Sequence, residues 1–143
     1  MTIQEQKDLI NTFITEVWNQ GNTTRLDHFL HPHFTDHSLP AQLPANATGL
    51  QQWVAMTHTS FKPETIIEEH LAEEGKNIIK IVMRMKHTGL WRGITATGLT
   101  VTTKGYRSFR FQDGRIIEHW ALIDGNALEQ GLKGIAHDCK IAE

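Results

Sequence analysis

The apolar residues Ile3, Ile10, Phe13, Ile14, Val17 and Trp18 recur at intervals of three and four, the stripe of an amphipathic helix over residues 3–18. Gln20, Gly21 and Asn22 stop it, and Asn22 or Thr23 can cap a short second helix through Leu26, Phe29 and Leu30. Pro32 ends that pattern, so a helical hairpin opens the chain. Residues 33–38 read as extended, and Pro40, Pro44 and Gly49 mark a loop before a third helix over about residues 49–61, where Leu50, Trp53, Val54 and Thr57 share a face. Lys62-Pro63 closes that helix. The pattern then changes to β-branched and aromatic residues in four stretches, residues 65–73, 77–88, 99–112 and 115–123, which read as long strands. Glycine-containing turns at Gly75 and Gly114 predict consecutive antiparallel pairing, and a last helix runs through Ala127, Leu128 and Leu132. Helices first and a strand meander afterwards predict an α+β fold with helices laid on one face of a curved antiparallel sheet.

Alternation assigns faces, on the assumption that no bulge interrupts a strand. Ile79, Ile81, Met83, Met85 and His87 share one face of their strand, and Thr103, Gly105, Arg107, Phe109 and Phe111 share one of the next. Gly105 in mid-strand suggests the bend where the sheet curls. Glu118, Trp120, Leu122 and Asp124 share a face of the last strand, opposite His119, Ala121 and Ile123. The inward set predicted for the curled sheet is Met83, Met85, Phe109, Phe111 and Trp120, with His87, Arg107 and Asp124 as its ionisable members. A mostly apolar cavity with a few convergent polar groups is the usual form of a small-molecule site. Asp124, next to Trp120 and Leu122, would be partly desolvated, and its pKa would move toward the working pH of a general acid or base. An alternative of equal weight is that Asp124 caps the helix that follows.

Composition narrows the partners. The chain has 143 residues, 14 basic and 16 acidic, with a formal net charge of -2, which fits one globular domain over residues 1–143 and offers no basic footprint for nucleic acid. The single cysteine, Cys139, excludes an intramolecular disulfide and a thiolate cluster. No targeting segment opens the sequence, and no apolar run approaches the roughly 20 residues that a bilayer requires. The expectation is therefore a cytoplasmic protein that binds neither membrane nor nucleic acid.

The stretch FRFQDGRIIEHWALIDGNALEQGLKG, residues 109–134, resembles the SnoaL-like polyketide cyclases of the NTF2-like superfamily. Glu118, Trp120, Asp124, Leu128 and residues 131–134 follow the family's pattern, with the terminal motif shifted because Gln130 is followed by Gly131. Trp18-Asn19-Gln20-Gly21-Asn22, Asp36-His37 and MKHTGLWRGITATG over residues 85–98 extend the resemblance to nearly the whole chain. It implies a homodimer of α+β cones, each enclosing a hydrophobic pocket and working without metal or redox cofactor. It also implies that the matching aspartate, Asp124, is the acid/base for intramolecular aldol ring closure of a polyketide ester. His87 or Arg107 would then hydrogen-bond the developing enolate oxygen.

The resemblance places His37 near the pocket mouth, and Trp53, Met83, Met85, Trp91, Phe109 and Trp120 join it as expected substrate contacts. Trp18 reads as core of the first helix, and His119 as a residue of the outer sheet surface or of a dimer interface. His31 and His33 flank Pro32 near Asp36 and His37, a spacing compatible with a divalent ion, but solvated surface histidines are the ordinary outcome there. The expectation is no metal and no cofactor. Three functions remain: an acid/base carbon-acid enzyme (cyclase or isomerase), an epoxide hydrolase built on carboxylate, Arg107 and a second carboxylate such as Asp36, and a non-catalytic binder of a hydrophobic small molecule. Tyr106, on the opposite parity from Phe109, counts against an isomerase of the kind that needs a pocket phenol.

Overall fold

A computed structural model describes residues 1–141, with side chains described through Gly134, so His137 and Cys139 lie outside the described side chains. Helix α1 (Ile3–Phe13) begins with a capping box in which Thr2 and Glu5 satisfy each other's backbone N–H groups. It runs on into one wider π-type stretch, Ile14–Asn19. The short helix α2 (Leu26–Phe29) leads into strand β1 (Leu30–Asp36). Asn22 forms a local turn with Thr24 instead of capping α2. Helix α3 (Ala47–Ser60), capped by Asn46, is followed by β2 (Phe61–Glu73), β3 (Lys76–His87), β4 (Thr100–Gln112), β5 (Arg115–Ile123) and α4 (Gly125–Ile141).

The α+β order is as the pattern predicts, with three differences. Strand β2 starts at Phe61, four residues earlier than expected, and Lys62-Pro63 lies inside it. Proline is tolerated because β2 is an edge strand in the order β1-β5-β4-β3-β2, where one row of N–H groups has no partner to serve. Strand β1 completes the sheet by pairing in parallel with β5, whereas the other pairs are antiparallel.

The third difference concerns a single residue. The turn at Asp113-Gly114, both at positive φ, pairs Gln112 with Arg115 and Phe111 with Ile116. An unbroken ladder from there would set Arg107 opposite Trp120. The next pair is instead Arg110 with Glu118, so Ile117 is an extra, unpaired residue in β5. Arg107 therefore faces Ala121, and Phe109 faces His119. A shift of one residue exchanges the two faces of a strand. Trp120 and Leu122 turn outward, 39% and 78% exposed, and His119 turns inward at 4%.

The core lies between the helices and the concave sheet face, with Phe13 edge-on to Phe29 and to Phe109. Asn19 fastens the helices to β2: its amide nitrogen donates to Thr65 O and its Oδ1 accepts from Thr65 N. The loop after β3 is fastened to the end of α3, where Ser60 O accepts from Thr88 N and Gly89 N. A Cβ on Gly89 would lie 2.1 Å from Thr59 O, too close for any side chain. This close approach holds Trp91 against Phe61, 5.2 Å between ring centroids. Gly89→Ala is expected to destabilise the fold by about 2 kcal/mol and lower Tm by roughly 6–8 °C, read by thermal unfolding.

Candidate active site

Three adjacent strands contribute the polar centre. Asp36 ends β1, His119 is its register partner on β5, and Arg107 stands on β4. All three are buried, at 2%, 4% and 4% exposure. His119 Nδ1 lies 2.9 Å from Asp36 Oδ2, and His119 Nε2 lies 3.3 Å from Arg107 Nη1. The other carboxylate oxygen of Asp36 accepts from Ser38 N at 2.9 Å.

Electrostatics fix the protonation. Burial pushes the Asp36 carboxyl up, but the His119 hydrogen bond and charge, Ser38 N–H and Arg107 together hold it below its ordinary value. Asp36 is therefore a carboxylate. Burial lowers His119, opposed by Asp36 and reinforced by Arg107, so the ring is held neutral. A neutral imidazole facing a carboxylate donates from Nδ1, which leaves the Nε2 lone pair to accept from the Arg107 guanidinium. Burial brings Arg107 down to about 10, with Asp36 opposing, and it stays charged at neutral pH. Among the described residues none makes a direct ion pair with Arg107; its charge reaches Asp36 through the imidazole. Its guanidinium lies over the Trp18 ring, 4.4 Å from the centroid.

Arg107 and Trp18 form part of the wall of a cavity of about 460 Å³. Trp53, Met56, Phe61, Met83, Met85 and Trp91 give the wall its apolar character, and Arg92, Ala121 and Leu128 lie toward α4. Of the expected site residues, Arg107, Trp53, Met83, Met85 and Trp91 line this cavity. Phe109, His119 and Asp36 are buried and do not line it; the Phe109 and His119 rings are 5.1 Å apart.

The others lie elsewhere. His87 is fully buried, with Nδ1 accepting from Thr97 N, and is not part of the cavity wall. His37 and Trp120 stack on each other on the outer sheet face, 4.5 Å apart and nearly parallel, because the extra residue at Ile117 reverses the expected facing of β5. The same reversal places Asp124 on the solvent side: it is exposed, outside the cavity wall, and its Oδ1 accepts from Ala127 N at the start of α4. Its observed position is that of the helix cap. His119, read from alternation as an outer residue, is the buried centre of the site. The signal for it in the sequence is the doublet Ile116-Ile117, which breaks the alternation of an otherwise regular strand.

His31 Nε2 lies 3.5 Å from Asp113, the His31 and His33 rings are 5.6 Å apart, and Asp36 points inward, away from them. Among the described residues no three histidine, cysteine or acidic side chains converge as a metal site. Among the described residues, no helix is long and apolar enough to cross a membrane.

The lowered His119 carries a pH signature. Between the ordinary value of 6.5 and the lower value of the folded state, the unfolded chain binds a proton that the folded chain does not. Falling pH in that window favours unfolding, and half-buried His70, also lowered chiefly by burial, acts with the same sign. Asp36 adds to the loss only as pH falls below its unfolded value of 3.8. Urea unfolding is expected to show stability declining from about pH 7 to about pH 5, with a smaller decline in His119→Gln, which does not titrate.

The family model for SnoaL-like polyketide cyclases matches residues 8–132. Solved structures share the fold. A protein described as a candidate polyketide cyclase from Acidithiobacillus ferrooxidans superposes with a TM-score of 0.82 at 22% identity, over 94% of this chain and 99% of that one. TsrD from Streptomyces laurentii gives 0.80 at 20%, over 92% and 97%. IdmH from Streptomyces antibioticus, also described as a candidate polyketide cyclase, gives 0.78 at 21%, over 90% and 97%. The comparison with curated proteins returns no match. With the match spanning α1 to α4 and the fold shared with these NTF2-like structures, the chain belongs to the SnoaL-like polyketide cyclase family.

Proposed function

We propose that the protein is an acid/base catalyst of carbon–carbon ring closure on a hydrophobic carbonyl substrate, with Asp36 and His119 as the base and Arg107 as the oxygen clamp. The observation that carries this reading is the buried series Asp36–His119–Arg107, whose guanidinium end forms part of an otherwise mostly apolar cavity wall.

The substrate carbonyl oxygen takes hydrogen bonds from Arg107, which releases the His119 Nε2 lone pair. Nε2 removes a proton from the carbon next to that carbonyl, and the electron pair moves to oxygen as an enolate beside the guanidinium. Asp36 stabilises the imidazolium through Nδ1–H. The enolate carbon attacks a second carbonyl of the same chain, and the alkoxide formed there takes the proton back from Nε2. Every proton and electron pair stays with substrate and side chains. The apolar wall contributes by holding the two carbons at reacting distance.

The competing readings find less support. An epoxide hydrolase needs two carboxylates around its arginine, yet among the described residues no Asp or Glu lines the cavity, and Ala121 stands opposite Arg107. An isomerase with a pocket phenol would require Tyr106, which is 51% exposed on the outer face. Asp124 is exposed and caps α4 through Ala127 N, outside the buried series that carries this reading. The homodimer implied by the family resemblance belongs to this reading. Its support here is the exposed apolar group Ile78, Tyr106, Trp120 and Leu122 on the outer sheet face.

A panel of aromatic polyketide esters, enones and small epoxides, assayed for binding and turnover, tests the assignment. His119→Gln is expected to lower kcat on a carbonyl ester about 100-fold or more with KM changed little, and Asp124→Asn to keep turnover near wild type. Lost turnover in Asp124→Asn alone would return the acid/base role to that residue. Binding without turnover in the wild-type protein would favour a non-catalytic binder.

A further inference from the structure

Four buried side-chain polar atoms have no hydrogen-bond partner among the described residues, and two of them, Trp18 Nε1 and Arg107 Nε, are on residues that line the cavity. The other two, Thr65 Oγ1 and His87 Nε2, are on residues outside it. An indole N–H and a guanidinium N–H are both donors with no acceptor capacity, so the two stacked side chains cannot satisfy each other. Native interiors rarely leave such groups unmatched, and a recurrent explanation is a partner that arrives from outside the chain.

The position of Trp18 is unusual in a second way. It lies in the π-type stretch Ile14–Asn19, a helix distortion concentrated at functional sites, and its carbonyl oxygen is held 2.8 Å from His58 Nε2. The ring lies under the guanidinium, 3% exposed, and its own N–H takes no part in that backbone contact. A side chain needed only to fill volume could have been any large apolar residue.

We propose that Trp18 Nε1–H and Arg107 Nε–H form a two-donor oxyanion hole for the enolate oxygen of the substrate. The inference rests on the ring-closure reading above and deepens it, since it makes Trp18 a catalytic residue. The neutral indole donor gains most as negative charge develops, so its contribution falls on the transition state more than on the bound ketone.

4-Nitrophenol serves as a stable enolate mimic, because its absorbance separates phenol from phenolate, and nitrobenzene serves as the neutral control of similar shape. In protein carrying 15N-labelled tryptophan, the Trp18 indole N–H resonance is expected to move downfield with 4-nitrophenolate and to move little with nitrobenzene. Trp18→Phe, which retains a ring under Arg107, is expected to weaken phenolate binding roughly tenfold and nitrobenzene binding less than twofold. An unmoved indole resonance, equal weakening of both ligands, or no phenolate binding by the wild-type protein would overturn the proposal. If Trp18→Phe does not fold, the resonance alone decides. Arg107→Met separates the two levels of the argument. Loss of phenolate preference there but not in Trp18→Phe removes Trp18 and leaves the ring-closure reading, whereas unchanged preference in both variants removes both.

Discussion

Burying a positive guanidinium in a mostly apolar wall is the constraint around which this molecule is arranged. Arg107 is 4% exposed and has no direct carboxylate partner among the described residues, a situation that burial alone would make prohibitive. Two arrangements offset that cost. The face of Trp18 lies against one side of the guanidinium, and the His119 lone pair accepts from its Nη1, with the charge of Asp36 behind the imidazole. Remove the imidazole and both charges are left buried without a bridge, the condition in which a buried pair turns strongly destabilising.

The sheet supplies the geometry that this requires. Asp36, His119 and Arg107 come from β1, β5 and β4, neighbours in the strand order, so register instead of loop conformation sets their spacing. That register depends on Ile117. Without the extra residue, Trp120 would occupy the inner face and His119 would lie in solvent on the outer one. Bulges that redirect a side chain next to a site are a recurrent device of curved sheets. Here one extra residue turns His119 to the inner face, between Asp36 and Arg107, and also moves two large apolar groups, Trp120 and Leu122, to the outer face.

Much of this was legible from residue order alone, and the exceptions have a common cause. The α+β order, the strands β3 to β5 and the inward sets of β3 and β4 follow from period and turn chemistry, which is enough to place Met83, Met85 and Arg107 at the cavity. Trp53 and Trp91 also reach the wall. Alternation fails where a ladder gains a residue, because the count is then one out for everything that follows, and this single slip misplaced His119, Trp120 and Asp124. The start of β2 was hidden by Pro63, which reads as a helix stop and is equally acceptable on an edge strand. Asp36 was visible as part of Asp36-His37, but which of that pair turns inward depends on the parallel pairing of β1 with β5, two segments 83 residues apart at the Asp36–His119 contact. No local pattern encodes such a pairing.

The central claim is that His119 is a neutral base oriented by Asp36, and histidine-labelled 15N NMR across a pH titration tests it most directly. His119 is expected to carry its proton on Nδ1 at neutral pH and to resist further protonation to a pH below the 6.5 of an ordinary histidine. A resonance pattern of imidazolium at neutral pH, or of a neutral ring protonated on Nε2, would contradict it.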